Sequence, residues 1–93
     1  MSEYIEIESE ISDDDTQLFI YTNLQLSDSN TPEVYLSNAE MAEGSPVAQT
    51  FAAIVGIAYL QIDGSDLLIQ REPNAHWHAI VDDISAALVD FFL

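Results

Sequence analysis

Three observations in the sequence predict an α+β fold: a two-layer sandwich, with a largely antiparallel sheet carrying two helices on one face, in the order ββ(β)αββα. Apolar and acidic residues alternate from Tyr4 to Ile11, as in a strand with one buried face. A later pair of strands is joined through Asp63, Gly64 and Ser65, which favours a tight hairpin. Two other segments carry apolar residues at helical spacing, and hairpins cannot build a doubly wound parallel sheet.

The first half of the chain contains two predicted strands. The strand Tyr4–Ile11 turns isoleucines to the core and glutamates to solvent: Ile5, Ile7 and Ile11 on one face, and Glu6, Glu8 and Glu10 on the other. Short polar side chains in the turn Ser12–Gln17 can bond their own backbone. The second strand is predicted over Gln17–Leu26, and its core-facing residues are Leu18, Ile20, Leu24 and Leu26.

The segment after the second strand has weaker patterns. Ser27–Pro32 breaks the strand, and Glu33–Leu36 fits a short edge strand. From there to Gly44 no periodicity separates a helix from a loop.

A first helix is predicted after Ser45, which fits the N-cap position because its hydroxyl can accept a free backbone N–H. Pro46 fits the first helical position, where its missing N–H has no cost. The apolar stripe consists of Val47, Phe51 and Ile54. Gly56 is expected to end this helix as a C′ glycine.

The last third predicts a hairpin and a longer helix. The strands are Ile57–Ile62 and Asp66–Gln70, and the helix is Ala75–Phe92 with Asn74 as its cap. Its buried stripe is expected to consist of Trp77, Ile80, Val81, Ile84, Leu88 and Phe91.

Length and composition predict one folded domain over residues 1–93, with 48% apolar residues. No apolar run approaches the 18 or so residues that span a bilayer, and the acidic N-terminus does not resemble a secretion signal, so a cytoplasmic location is expected. The sequence has no cysteine, which excludes disulfides, thiolate metal sites and cysteine-ligated iron–sulfur clusters.

The charge is strongly acidic: 17 Asp and Glu residues against one arginine, Arg71, give a formal net charge of -16. Nucleic acids and anionic membranes are excluded as partners because binding to phosphate needs cations. Three interpretations of the charge remain open: adaptation to a saline cytoplasm, a surface that meets a basic partner, and mimicry of a nucleic-acid backbone.

The C-terminal half contains an ordered set of motifs: "SPVAQTFAAIVGIAYLQIDGSDLLIQ", a tryptophan a few residues later, and "ALVDFF". This set resembles the N-terminal domain of the Nfu/NifU-type iron–sulfur scaffold proteins. That family typically shows Ser-Pro-Leu-Ala, Leu-Phe, Gly-Val, Val-Phe and Asp-Phe-Ile-Thr-Val, then a tryptophan and a closing Asp-Phe-Phe. The counterparts here are Ser45, Pro46, Ala48, Phe51, Gly56, Ile57, Trp77, Asp90, Phe91 and Phe92.

The first turn departs from that family. The family usually carries Thr-Pro-Asn-Pro-Asn there, whereas this chain has three consecutive aspartates, Asp13, Asp14 and Asp15. The Cys-x-x-Cys pair of the family's cluster-binding module is not found in the sequence. The resemblance therefore implies an accessory role in iron–sulfur assembly without cluster ligands.

We expect a non-catalytic, monomeric interaction domain with no catalytic, cofactor or metal residues. Its partners would be iron–sulfur assembly factors or client proteins, contacted through the exposed sheet face and the acidic loops, with Asp13, Asp14 and Asp15 as candidate contacts. The alternative is an acidic binder or mimic that occupies a basic protein surface unrelated to cluster assembly.

Overall fold

The computed structural model describes residues 5–27 and 31–92, which form five strands and three helices. The strands are β1 (Ile7–Ile11), β2 (Gln17–Thr22), β3 (Glu33–Tyr35), β4 (Ile57–Asp63) and β5 (Asp66–Arg71). The helices are α1 (Asn38–Ala42), α2 (Pro46–Phe51) and α3 (Trp77–Phe92). The predicted strand start at Tyr4 and the middle of the predicted break at Ser27–Pro32 lie outside the described residues.

The strands form one antiparallel sheet in the order β1-β2-β5-β4-β3. The hairpins β1–β2 and β4–β5 lie side by side, and β3 adds an edge strand next to β4. The helices pack on one face of this sheet. The predicted α+β sandwich is thus confirmed, with the added helix α1 giving the order βββααββα.

The hydrophobic core lies between the sheet and the helices. The strands contribute residues that alternate along one face, except across the irregularity after Ile57: Leu18, Ile20, Ile57, Leu60, Ile62, Leu67 and Ile69. The helices contribute Met41, Val47, Ala48, Phe51, Trp77, Ile80, Ile84 and Leu88. Because each large apolar side chain contributes about 1.5–3 kcal/mol on burial, this layer is the main source of stability.

Strand β1 is shorter and less buried than the sequence predicts. The register with β2 confirms that Ile7 and Ile11 share a face opposite Glu8 and Glu10. Burial of the isoleucine face is nevertheless wrong at Ile11, whose exposed fraction is 46%. The reason is that β1 is an edge strand, whereas the helices pack over the central strands.

Strand β2 ends at Thr22 rather than at Leu26. The Thr22 hydroxyl donates to the carbonyl of Ser65 at 2.8 Å and accepts the N–H of Leu24 at 3.1 Å, which turns the chain away from the sheet. Leu24 still packs against the core, and Leu26 is buried in it.

Helix α1 is an element that the sequence pattern did not separate from a loop. Ser37 caps it in extended backbone, and its hydroxyl accepts the N–H of Glu40 at 3.2 Å. Met41 is buried. The Asn38 amide donates to the carbonyls of Ala52 and Ile54, both at 2.9 Å, so α1 is tied to the segment after α2.

Helix α2 begins as predicted and ends earlier. Ser45 is the N-cap, with its hydroxyl accepting the N–H of Ala48 at 3.3 Å, and Pro46 is the first helical residue. The helix ends at Phe51, so the prediction that Gly56 is its C′ residue is wrong. The helix stops there because the N–H of Ile54 bonds the carbonyl of Phe51 in a tighter turn, and Gly56 lies in the turn before β4 with a φ of 103°.

Helix α3 begins at Trp77, so the prediction that Asn74 caps it is wrong. Asn74 lies in a turn closed by the N–H of Ala75 and the carbonyl of Glu72, and the carbonyl of His76 accepts the first helical bond.

The C-terminal end of α3 also differs from the predicted stripe. Phe91 is 43% exposed, and Val81 is only half-buried. Residues four positions apart share a helix face, so the buried face runs from Ile84 and Leu88 to Phe92, which packs against the core. The ring of Phe91 contacts the ring of Phe92 edge-on, with 4.9 Å between the ring centres.

Glu33 joins β3 to two neighbouring segments. Its carboxylate accepts hydrogen bonds from the hydroxyls of Tyr35 and Ser27, and the Tyr35 hydroxyl accepts the N–H of Ser45 at 3.2 Å. Burial alone would raise the pKa of Glu33, but side-chain hydrogen bonds from Tyr35, Ser45 and Ser27 outweigh burial and hold the pKa below its ordinary value. Gly44 lies so close that a Cβ there would overlap the Tyr35 ring.

We expect Glu33→Gln to lower the free energy of unfolding by about 1 kcal/mol at pH 7, because an amide cannot accept every bond that the carboxylate accepts. A carboxyl whose folded pKa is lowered stabilises the protein above its unfolded pKa, and this contribution is lost as pH falls through the folded pKa. The difference between wild type and variant in urea unfolding should therefore shrink between pH 7 and about pH 3. A difference that stays constant would contradict this assignment.

Candidate protein-interaction site

The sheet face opposite the helices, called here the open face, is the candidate functional site. An antiparallel sheet can leave one face in solvent, and that face is ordinarily polar. The register places these side chains on the open face: Glu8, Glu10, Gln17, Phe19, Tyr21, Val34, Tyr59, Gln61, Asp63, Asp66, Leu68 and Gln70. None of the helices in residues 5–27 and 31–92 packs on this face.

The open face carries several apolar side chains besides its polar ones. Phe19, Leu68, Gln61 and Val34 occupy directly opposed positions on four adjacent strands, so they form one row across the sheet. Tyr21 lies beside this row, and the exposed fractions of Tyr21 and Val34 are 42% and 48%. Contiguous apolar surface left in water is characteristic of interaction sites.

The contact residues predicted from the sequence do not include these apolar side chains, although the sequence carries a signal for them. Phe19 stands between the core residues Leu18 and Ile20. Leu68 likewise stands between two core residues of β5. A strand that is apolar at successive positions has apolar side chains on both faces, and only one face of this sheet is covered by helices.

Carboxylates lie on two sides of this row. Glu10 is opposite Phe19 and Glu8 is opposite Tyr21, which places two glutamates at the β1 side. At the hairpin end, Asp63 and Asp66 are directly opposed, a like-charge pair that is unfavourable within a sheet. Apolar side chains flanked by carboxylates favour a partner surface that carries both apolar and basic residues.

The surface has two depressions that could hold a small ligand. One of about 180 Å³ lies on the open face between Phe19, Tyr21 and Asp66. A larger one of about 460 Å³ lies between the α2–β4 turn and the segment before α3. The Asn38 amide in its wall is already bonded to two carbonyls, so Glu72 and Asn74 are the polar side chains that the larger depression offers to a ligand.

The acidic turn holds its aspartates in different ways. The Asp14 carboxylate accepts hydrogen bonds from the hydroxyls of Thr16 and Ser12, both at 2.7 Å. These bonds, with Thr16 the larger cause, lower the pKa of Asp14. Asp13 is exposed, so it is the member of the predicted contact group that the turn leaves most open to a partner.

Asp15 has a structural contact instead. It adopts a φ of 63°, and its carboxylate pairs with the Arg71 guanidinium at 2.7 Å. The Asp15 carbonyl accepts the indole N–H of Trp77 at 3.1 Å, and the guanidinium lies 5.6 Å from the Trp77 ring centre. The single arginine therefore joins the first turn to the start of α3, on the helix side of the sheet.

The histidines are separated by the start of α3. His76 precedes the helix, and the exposed His78 lies 3.6 Å from Asp82 one turn on. Within the described residues, no three His, Cys, Asp or Glu side chains are grouped closely enough to hold a metal ion.

None of the helices in the described part of the chain is both long and apolar enough to cross a membrane.

The residues that carry the resemblance to the Nfu/NifU N-terminal domain mostly have structural roles. Ser45, Pro46, Phe51 and Trp77 cap, begin or fill helices. Gly56 supplies a positive φ. In the closing Asp-Phe-Phe of this motif set, Asp90 and Phe91 are exposed and Phe92 is half-buried.

Comparison with protein-family models and with curated proteins gives no match. Among solved structures, the chain resembles the crystal structure of protein SAV1430 from Staphylococcus aureus, with a TM-score of 0.71 and 11% sequence identity. The match covers 89% of this chain and 98% of that chain. This likeness shows the fold alone.

We expect the melting temperature to rise between about 10 mM and 1 M sodium chloride, because the Debye length falls from roughly 30 Å to 3 Å and screens repulsion among carboxylates. A gain of 1 kcal/mol corresponds to about 4–8 °C for a domain of this size. Asp66→Asn removes the like-charge pair with Asp63 and should show a smaller rise. A flat response in the wild type would exclude charge repulsion as a significant cost.

Proposed function

We propose that this chain is a non-catalytic protein-interaction domain, accessory to iron–sulfur cluster assembly or delivery in the cytoplasm and without cluster ligands of its own. The observation that carries the interaction role is the open face, where half-buried Phe19 and Leu68 and the exposed Val34 lie in one row that also contains Gln61 and has carboxylates on two sides. The assignment to cluster assembly is supported by the motif set that resembles the Nfu/NifU N-terminal domain.

The chemistry of the chain suits an accessory role. These 93 residues contain no cysteine with which to ligate iron, so a cluster would have to be held outside this domain. The open face presents aromatic and aliphatic side chains beside carboxylates and amides. Such a surface can hold a protein through apolar contact, while its charges select the partner and speed association.

Affinity capture with the tagged domain tests this proposal. We expect iron–sulfur assembly factors or their clients to be recovered at moderate salt. The double variant Tyr21→Thr with Val34→Thr should reduce recovery by about tenfold, since it removes exposed apolar area while keeping strand-forming residues.

Val55→Thr is the matched control, because Val55 is 86% exposed and lies in the turn before β4, outside the open face. It should leave recovery unchanged. Equal recovery by the wild type and the double variant would contradict the role of the open face.

The alternative function is an acidic binder or mimic that occupies a basic surface unrelated to cluster assembly. It is favoured by the net charge of -16 together with the intramolecular use of Arg71. In the same capture, recovery of nucleic-acid-binding proteins alone, lost steeply as salt rises, would support this alternative and exclude the first proposal.

A further inference from the structure

Strand β1 is an edge of the sheet whose outer backbone groups point away from β2. The carbonyl of Glu6 accepts the N–H of Asn23, and the N–H of Ser12 donates to the carbonyl of Gln17. Even-numbered residues therefore bond toward β2. Because successive residues of a strand direct their polar groups to opposite sides, the N–H and C=O groups of Ile7, Ser9 and Ile11 point outward, and no described strand pairs with them.

The two faces of this edge differ in chemistry. Glu8 and Glu10 lie on the open face, and Glu6 precedes them at the same spacing. On the helix side, Ile11 is largely exposed and Ile7 is half-buried. An added strand would complement both faces if basic and apolar residues alternated along it.

Of the two edges of the sheet, β1 is the better suited to pair with an added strand. The opposite edge, β3, has only three residues, which is a common way to prevent further pairing. Strand β1 contains no proline, and its pairing with β2 has no bulge. A second copy of β1 is a poor occupant, because antiparallel self-pairing would place glutamate opposite glutamate.

From this edge and its charge pattern we propose that β1 is a docking edge for an extended segment of a partner protein in which lysine or arginine alternates with apolar residues. The segment adds a sixth strand, with its cations against Glu6, Glu8 and Glu10 and its apolar side chains beside Ile7 and Ile11. Hydrogen bonds from Ile7, Ser9 and Ile11 set its register. This edge is a second contact surface besides the row around Phe19 and Leu68. The proposal rests on the proposed function only in requiring that a protein partner exists.

Binding of a short fluorescent peptide of alternating lysine and valine to the full chain tests the proposal. We expect saturable binding, with slowed hydrogen exchange at the amides of Ile7, Ser9 and Ile11. A peptide of the same composition with lysines and valines in separate blocks should bind about tenfold more weakly, because it cannot match both faces. Equal binding of the two peptides without slowed exchange would show only charge attraction and would overturn the proposal.

Two variants separate the backbone contribution from the charge contribution. Ser9→Pro removes one outward N–H without breaking a bond to β2, as proline is tolerated on edge strands, and should weaken binding about tenfold while Ser9→Ala does not. Glu8→Lys with Glu10→Lys should reverse the preference toward a glutamate–valine peptide. Unchanged peptide preference in this folded double variant would also overturn the proposal.

These outcomes are independent of the function proposed above. The peptide assay contains no assembly protein, so its failure leaves the capture result intact. Conversely, Val34→Thr alone alters the open face on β3, at the edge of the sheet opposite β1, and it should leave peptide binding unchanged.

Discussion

Gly56→Ala is expected to lower the free energy of unfolding by about 2–4 kcal/mol. Gly56 has a φ of 103°, which L side chains rarely adopt, and a Cβ at this position would lie 2.8 Å from the Cβ of Ala75. Its carbonyl accepts the N–H of Glu72 at 2.8 Å, so the turn cannot relax without losing that bond. Backbone strain of about 1–3 kcal/mol and the steric overlap act together. Urea unfolding followed by Trp77 fluorescence measures the loss.

Gly64 provides the matched control for this prediction. It also has a positive φ, 63°, but a Cβ there would meet nothing within 4 Å. Gly64→Ala should therefore lose only about 1–2 kcal/mol, the cost of a left-handed alanine. Equal losses at the two glycines would show that contact with Ala75 contributes nothing.

Arg71→Met should lower the free energy of unfolding by about 2–3 kcal/mol. The guanidinium donates to the Ala75 carbonyl at 2.7 Å, pairs with Asp15 and lies over the Trp77 ring. A charged hydrogen bond contributes about 1.5–3 kcal/mol, the partly exposed ion pair up to about 1, and the ring contact about 0.5–1, with overlap among them. Thermal unfolding by circular dichroism measures the sum.

Two further variants separate these contributions. Asp15→Asn keeps a residue that tolerates a positive φ but removes the ion pair, so it should lose only about 1 kcal/mol or less. Arg71→Lys keeps the charge without the planar fork, and we expect an intermediate loss. If Arg71→Lys matched the wild type, charge alone would account for the contact, and the separate guanidinium N–H groups that reach Asp15 and the Ala75 carbonyl would contribute nothing.

The succession of strands along the chain and the presence of α2 and α3 could be predicted because their patterns repeat. Leu18 and Ile20 show the period of a strand, and Ile80, Ile84 and Leu88 show that of a helix. Helix α1 could not, since five residues make barely one turn and no stripe develops. Its stability comes from the Ser37 cap and the burial of Met41, which depend on the neighbouring elements.

The sequence predicts contact through an exposed sheet face and acidic loops, but it does not identify the residues of the open face. Sequence favoured the acidic turn, yet Asp15 is engaged by Arg71, a residue 56 positions away in the chain. The row across the open face depends on which strands become neighbours, and no local pattern states that Phe19 lies opposite Leu68. The exposure of Ile11 likewise follows from its place at the sheet edge.

The most direct test of the central claim, that the open face is the partner surface, is an NMR titration of the isotopically labelled domain with a captured partner. We expect the largest amide shifts at Phe19, Tyr59 and Leu68, with smaller changes at their neighbours in the sheet. Shifts confined to the solvent side of α3, around His78 and Asp82, would contradict it.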